Sequence, residues 1–337
     1  MHRKISIIGA GSWGSALAAL LTKNGHEVTL WSIIPEEIEM LKNNHENKSK
    51  LPGVVLSDQI HFTSDLEESI KGKDVLVFAV PSVYMRSTAK MAAPFVTSGQ
   101  IIVDVAKGIE EKTLLTMSEI INDEIPEADV AVLSGPSHAE EVGKEIPTTV
   151  VVGAKTFDTA KYIQDIFMNE TFRVYTSPDI IGIELGGSLK NVIALAAGIS
   201  DGLGFGDNTK AALMTRGIAE ITRLGMAAGG RIETFAGLSG MGDLIVTCTS
   251  QHSRNRKAGY LIGQGKTMQQ AINEVQMVVE GIYSAKAALA LAMKHGVSMP
   301  IVEQVNAILF EEKPAKEAVI DLLSRSKKNE HEVFRWQ

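Results

Sequence analysis

The stretch ISIIGAGSWG, residues 5–14, decides how the first half of the chain is read. An apolar run ends at Gly9, and Gly11 and Gly14 follow at the spacing G-x-G-x-x-G. The first glycine of this pattern permits a tight turn. The second leaves space for a pyrophosphate, and the third lets a helix pack closely on the strand. A helix beginning around Ser12 would present its N–H groups to the diphosphate charge. Three such glycines alone describe only a turn. Set between a strand and a helix, with a second strand EVTLW (27–31) to follow, they imply a bound dinucleotide. The basic start and apolar stretch of residues 1–21 also resemble a signal peptide. Glycines at fixed offsets favour the strand, turn and helix instead.

Outward from this turn, further β-rich runs recur as DVLVFAV (74–80), QIIVDV (100–105), DVAVLSG (129–135), TTVVVG (148–153) and FRVYTS (172–177). Helical patterns lie between several of them, over 15–23, 35–43, 82–94 and 112–121. Continuous apolar strands alternating with helices predict an α/β unit with a mostly parallel sheet covered on both faces. The character changes after about Ile180. LKNVIALAAGI (189–199), TKAALMTRGIAEITRLG (209–225), TMQQAINEV (267–275), EGIYSAKAALALAMKHG (280–296) and PIVEQVNAILF (300–310) all carry helical spacing. The expected organisation is a nucleotide-binding domain over 1–180, an all-α substrate domain over 181–330 and a C-terminal tail over 331–337.

Composition bounds the function. The 337 residues carry 33 Lys+Arg against 40 Asp+Glu, a net charge of -7 that argues against nonspecific nucleic-acid binding. The basic SRSKKNEHE (324–332) reads as a solvated terminus. A single cysteine, Cys248, excludes an internal disulfide and a multi-cysteine metal site. No stretch reaches the roughly 18 unbroken apolar residues of a membrane span. A cytoplasmic protein with no metal and no integral membrane association is expected.

The choice of dinucleotide is open at this level. An acid at the tip of the second strand would take the ribose hydroxyls of NAD(H) and repel a 2′-phosphate. The strand ends instead as Trp31, Ser32, Ile33, with neither acid nor arginine. Ser32 offers one hydrogen bond to either ribose, so use of both NAD(H) and NADP(H) is expected.

Polar islands interrupt the apolar patterns at DVAKGIE (104–110), LSGPSHAEEV (133–142), GGSLKNVIA (186–194), GFGDNTKAALMTRG (204–217) and GMGDLIVTCTSQHSRNRKAG (240–259). Lys190 stands in a strongly apolar helical stretch, where an ammonium is costly unless paired. It either snorkels from a helix end or is tuned toward neutral pH for proton transfer. Lys107 follows a strand, so it is either a loop cation or a ligand group at the carboxyl edge of the sheet. Asp243 suits a helix N-cap or a pocket carboxylate, with the Thr247 hydroxyl one turn on. Ser253, Arg254 and Asn255 form either a solvated basic run or a phosphate clamp, for which a planar guanidinium is well suited. Glu280 would serve as a helix-start acid.

Taken in order behind GxGxWG, these islands make the chain resemble the bacterial NAD(P)-dependent glycerol-3-phosphate dehydrogenase family over nearly its whole length. The resemblance implies a Rossmann-like N-terminal domain and a helical substrate domain. It also implies interconversion of dihydroxyacetone phosphate and sn-glycerol 3-phosphate, supplying glycerophospholipid synthesis, and is compatible with a homodimer. By resemblance, Lys190 is the catalytic proton carrier. Lys107, Gly135, Ser137, Lys190, Asp243, Ser253, Arg254 and Asn255 surround the substrate. Gly9, Gly11, Ser12, Trp13, Gly14, Ser32, Lys107, Ala139, Arg254, Val278 and Glu280 surround the dinucleotide. His138 is read as a loop or packing histidine. Many relatives carry His or Arg where Ser32 and Ile33 stand, so a preference for NADP(H) does not transfer. A different dehydrogenase with a helical second domain would carry other islands, and a nucleotide sensor without catalysis would not need both Lys190 and Asp243.

Overall fold

A computed structural model describes residues 2–327, 329 and 330. Eight strands form one sheet: β1 (Lys4–Ile8), β2 (Glu27–Trp31), β3 (His61–Thr63), β4 (Val75–Phe78), β5 (Ile101–Asp104), β6 (Asp129–Ser134), β7 (Thr148–Gly153) and β8 (Phe172–Ser177). Their spatial order is β3-β2-β1-β4-β5-β6-β7-β8, and every neighbouring pair is parallel except β6 with β7. The central strands read as mainly apolar runs because both faces are covered. Ile5, Ile7, Val75 and Val77 face one core, while Ile8, Leu76 and Phe78 face the other. Strand order reverses between β1 and β4, which opens a crevice at their carboxyl ends where ligands of such sheets gather.

The first helix is Ser12–Lys23 and starts at the glycine turn, as its spacing predicts, three residues before the apolar pattern over 15–23. Two local expectations change. The helix expected over 112–121 is Met117–Glu124, because a capping box between Thr116 and Glu119 sets its start. The helix expected over 82–94 is an α-helix over Met85–Ala92 with a 3-10 turn at each end.

Beyond β8 the described chain is helical. Asp179 caps the helix Ile180–Gly202 by accepting from Gly182 N–H at 3.0 Å, and its other oxygen accepts from Arg231 N–H at 2.9 Å. Glu184 on this helix reaches back to the sheet side. It accepts from Ser118 N–H at 2.8 Å and from the hydroxyls of Thr116 and Ser118 at 2.8 and 2.6 Å, at the start of helix Met117–Glu124. Burial pushes its carboxyl up to about 7 despite these donors.

Ile180–Gly202 is the spine of the helical part, and it meets helix Arg254–Gly263 backbone to backbone. A Cβ on Gly198 would lie 2.1 Å from the Arg256 carbonyl oxygen, and one on Gly202 2.2 Å from that of Tyr260. In return, a Cβ on Gly259 would lie 2.0 Å from the Leu195 oxygen, and one on Gly263 2.3 Å from that of Ile199. Any side chain at these positions forces the two helices apart. Among the described residues, Ile180–Gly202 is also the one helix long and apolar enough to cross a membrane, with 83% of its apolar window buried inside the fold. The expected tail, 331–337, lies outside the described residues, as does part of SRSKKNEHE.

Candidate active site

The glycine turn has the shape its spacing predicts. Gly9 adopts φ +121, and a Cβ there would lie 2.8 Å from the Ala79 oxygen, so only glycine fits. A Cβ on Gly14 would collide with the Gly9 oxygen at 1.9 Å. Gly11 differs, since a Cβ there meets nothing within 4 Å. It borders open space in front of helix Ser12–Lys23, which has no side-chain cap and no acidic residue in its first turn. Uncapped N–H groups behind an open glycine suit a diphosphate. Asn47 anchors this loop, donating to the Ala10 carbonyl at 2.8 Å and to Ser15 Oγ at 3.2 Å.

At the tip of β2 the fold brings in a carboxylate that the strand itself lacks: Glu37, two residues into the next helix, Pro35–Asn44. Ser32 donates to Glu37 Oε2 at 2.6 Å, and Lys50 donates to Glu37 Oε1 at 2.5 Å. Glu37 is buried and Ser32 nearly inaccessible, while Ile33 stands exposed beside them.

The polar islands converge on one buried carboxylate. Asp243 accepts from Lys190 Nζ at 2.7 Å on Oδ1 and from Lys107 Nζ at 2.6 Å on Oδ2. Lys190 also donates to Thr247 Oγ1 at 2.6 Å, and Lys107 to the Gly135 carbonyl at 3.0 Å. Lys190 therefore does not snorkel; its side chain is 7% exposed, against 18% for Lys107. Asp243 opens the helix Asp243–Thr249 behind a π-type turn, Leu238–Gly242, and its carboxylate serves the lysines rather than capping. Burial pulls Lys190 down to about 8 against the opposing pull of Asp243, and Lys107 lowers it further. Burial alone would raise Asp243, but the two lysines outweigh it and hold the carboxyl below its ordinary value.

Glycines let these elements close up. A Cβ on Gly186 would lie 2.6 Å from the Ser239 oxygen, and one on Gly187 2.9 Å from Ser134 Oγ. Ser188 then bonds the Gly108 carbonyl at 3.0 Å, tying the Lys107 loop to the helix that carries Lys190.

Arg254 begins helix Arg254–Gly263, and its guanidinium makes no hydrogen bond or ion pair among the described residues. Ser253 caps that helix by accepting from Arg256 N–H. Asn255 is buried between three helices, donating to Asn191 Oδ1 at 2.9 Å and accepting from Gly281 N–H at 2.8 Å. Glu280 does more than start its helix. It accepts from the backbone N–H of Ser82 at 3.0 Å and from the Ser82 hydroxyl, joining the helical part to the loop after β4. Burial raises its carboxyl, and nearby Arg254 opposes that. Ser137 donates to the Gly135 carbonyl at 2.9 Å, and Ala139 opens the short helix Ala139–Val142 just beyond. Val278 lies partly buried just before Glu280. His138 stacks loosely near His252, with ring centroids 6.0 Å apart, and its Nε2 is buried without a partner. Burial, and then the Lys190 charge, lower its pKa from the ordinary imidazole value.

A family model described as NAD-dependent glycerol-3-phosphate dehydrogenase N-terminus matches residues 4–160, and its C-terminal counterpart matches 179–320. The chain belongs to the NAD-dependent glycerol-3-phosphate dehydrogenase family.

Relatives of this family agree along the full length. Glycerol-3-phosphate dehydrogenase [NAD(P)+] of Agathobacter rectalis is 66% identical over 334 residues, covering 99% of each chain. The protein of the same name from Bacillus subtilis is 51% identical, over 98% of this chain and 96% of that one. The crystal structure of glycerol-3-phosphate dehydrogenase from Coxiella burnetii superposes with a TM-score of 0.93 at 37% identity, covering 96% of this chain and 99% of that one. Within this glycerol-3-phosphate dehydrogenase fold, sequence reasoning missed Glu37, Asn47, Lys50 and Ser82. Each acts across a turn or between distant segments, and no local pattern marks it. Among the described residues no group of three or more His, Cys, Asp or Glu side chains is arranged to hold a metal ion.

Proposed function

We propose that the chain interconverts dihydroxyacetone phosphate and sn-glycerol 3-phosphate with NAD(H) or NADP(H), using Lys190 as the proton carrier. The observation that carries this reading is the buried Asp243 carboxylate shared by Lys190 and Lys107. It holds two ammonium groups beside each other, with the unpaired Arg254 guanidinium on an adjoining helix. The sheet-bearing part, 1–180, would hold the dinucleotide and the helical part, 181–330, the substrate. The nicotinamide, when bound, supplies or takes up a hydride at its C4. Lys190 donates a proton to the C2 oxygen in reduction and, as the neutral amine, takes it back in oxidation. A pKa of about 8 keeps both forms populated near neutral pH. Asp243 and Thr247 fix the direction of its Nζ. Lys107 adds positive charge next to the developing alkoxide. Gly135 and Ser137 form the rim, and Ser253 and Asn255 set the helix start that presents Arg254 to the phosphate. The product would feed glycerophospholipid synthesis in the cytoplasm. The direct test is oxidation of NADH and NADPH on addition of dihydroxyacetone phosphate; no turnover with either would overturn the reading.

Two results follow from these assignments. Arg254→Ala should lower kcat/KM for dihydroxyacetone phosphate by on the order of 100-fold or more, as expected for truncating a desolvated charge contact. It should leave little discrimination against unphosphorylated dihydroxyacetone. A variant that keeps the wild-type preference for the phosphorylated ketone would disprove the phosphate role. Gly11→Val fills the open space before helix Ser12–Lys23, so NADH affinity by fluorescence titration should weaken roughly tenfold or more with the fold intact. Unchanged affinity would remove the diphosphate from this loop.

A further inference from the structure

Residues 47–50 run from the glycine turn to the tip of β2. Asn47 is fixed on the Ala10 carbonyl, and its Oδ1 accepts from the Lys50 N–H at 3.1 Å. Lys50 then extends to Glu37, which Ser32 holds from the other side. With the diphosphate over Gly9–Gly14, the adenosine ribose of a dinucleotide comes to rest between these two anchors, at the carboxyl end of β2. We propose that Glu37 and Lys50 together select at the adenosine 2′ position. Lys50 is the cation that takes the 2′-phosphate of NADP(H), and Glu37 is the acceptor for the ribose hydroxyls of NAD(H).

The two partners are unequally free. The Glu37 side chain is 8% exposed and pinned by the Ser32 hydroxyl, whereas the Lys50 side chain is 33% exposed on a flexible stem. Lys50 is therefore the partner that moves. Against an uncharged ribose it stays on Glu37, whose second lone pairs remain available to a 2′-hydroxyl. Against a 2′-phosphate it turns to the dianion, and the Ser32 bond keeps the carboxylate directed away. While paired, the two charges cancel, so the site carries no fixed bias of either sign. Ile33, exposed beside the pair, brings no charge of its own to this tip. An acid placed by the next helix and a cation placed by the loop after it thus perform what a single strand-end residue does elsewhere in such folds.

This inference rests on the dinucleotide reading given above, and ligand fragments separate the two. Calorimetric titration with 5′-AMP and with adenosine 2′,5′-bisphosphate requires no turnover. Wild-type protein should bind both. Lys50→Met, a change at a partly exposed side chain, should weaken the bisphosphate by on the order of 10- to 100-fold relative to 5′-AMP, the scale of one charged hydrogen bond. Glu37→Gln should shift the ratio the opposite way, and kcat/KM for NADPH over NADH should follow both shifts. Equal changes for the two fragments in both variants would reduce the pair to a structural tie and overturn the proposal. Failure of wild-type protein to bind either fragment would instead overturn the dinucleotide reading beneath it.

Discussion

Lys190→Met should slow the hydride-transfer step about 100- to 10000-fold, the range for removing one positioned proton carrier. The side chain keeps its length and apolar body, so the core around helix Ile180–Gly202 stays filled, and Asp243 retains Lys107 as partner. Dinucleotide affinity should be unchanged. The measurement is single-turnover transfer at saturating cofactor and substrate across a pH series. In the wild type, reduction needs protonated Lys190, so its rate should fall as pH rises through about 8; oxidation needs the neutral amine and should rise through the same region. The variant should lose both limbs. A near-wild-type rate with the same profile would sink Lys190 as the proton carrier and direct attention to Lys107.

Asp243→Asn should be the next most damaging change, and its signature is different. It leaves two buried ammonium groups sharing no counter-charge, and breaking such a pair typically costs about 3–5 kcal/mol. Asp243 is the largest influence that keeps Lys190 protonated. Its loss therefore lowers the Lys190 pKa further, and the reductive limb should fall at lower pH than in the wild type. The stability loss has its own sign. An acid whose pKa is held down when folded contributes stability that is present above its unfolded pKa and lost as pH falls through the folded one. The melting temperatures of wild type and variant should thus separate near neutrality and converge under strong acid. A variant with unshifted pH limbs and unchanged melting would mean that Asp243 neither orients nor neutralises the lysines.

Much of this arrangement was legible in the sequence, and the reasons are local. Seven of the eight strands announced themselves, most as apolar runs buried on both faces and the edge strand β8 by its alternation of buried and exposed residues. β3 did not, since its three residues pair with β2 alone and show no period. The glycine turn was readable because steric demands name glycine at each position. Lys190 stood out as a charge in an apolar stretch, Lys107 by following a strand and Asp243 at a helix start, yet their meeting on one carboxylate depends on packing between segments 53 and 136 residues apart. The Glu37–Lys50 pair escaped notice for the same reason. An acid in the first turn of a helix looks like an answer to the helix dipole, and nothing local indicates that it turns back to Ser32.

The glycine contact between helices Ile180–Gly202 and Arg254–Gly263 has a consequence for what the enzyme can mistake for its substrate. One helix carries Lys190 and the other opens with Arg254, and glycines bring their main chains into direct contact. Side-chain repacking elsewhere cannot relieve a main-chain contact, and the Asn255–Asn191 and Arg256–Asp201 bonds tie the same two helices. With the roles proposed for Lys190 and Arg254, this contact holds the helix segments that carry the proton carrier and the phosphate ligand at a set separation. A ketone one carbon longer or shorter than the triose would meet one jaw and miss the other. Broadening the substrate range by engineering would have to begin at Gly198, Gly202, Gly259 or Gly263.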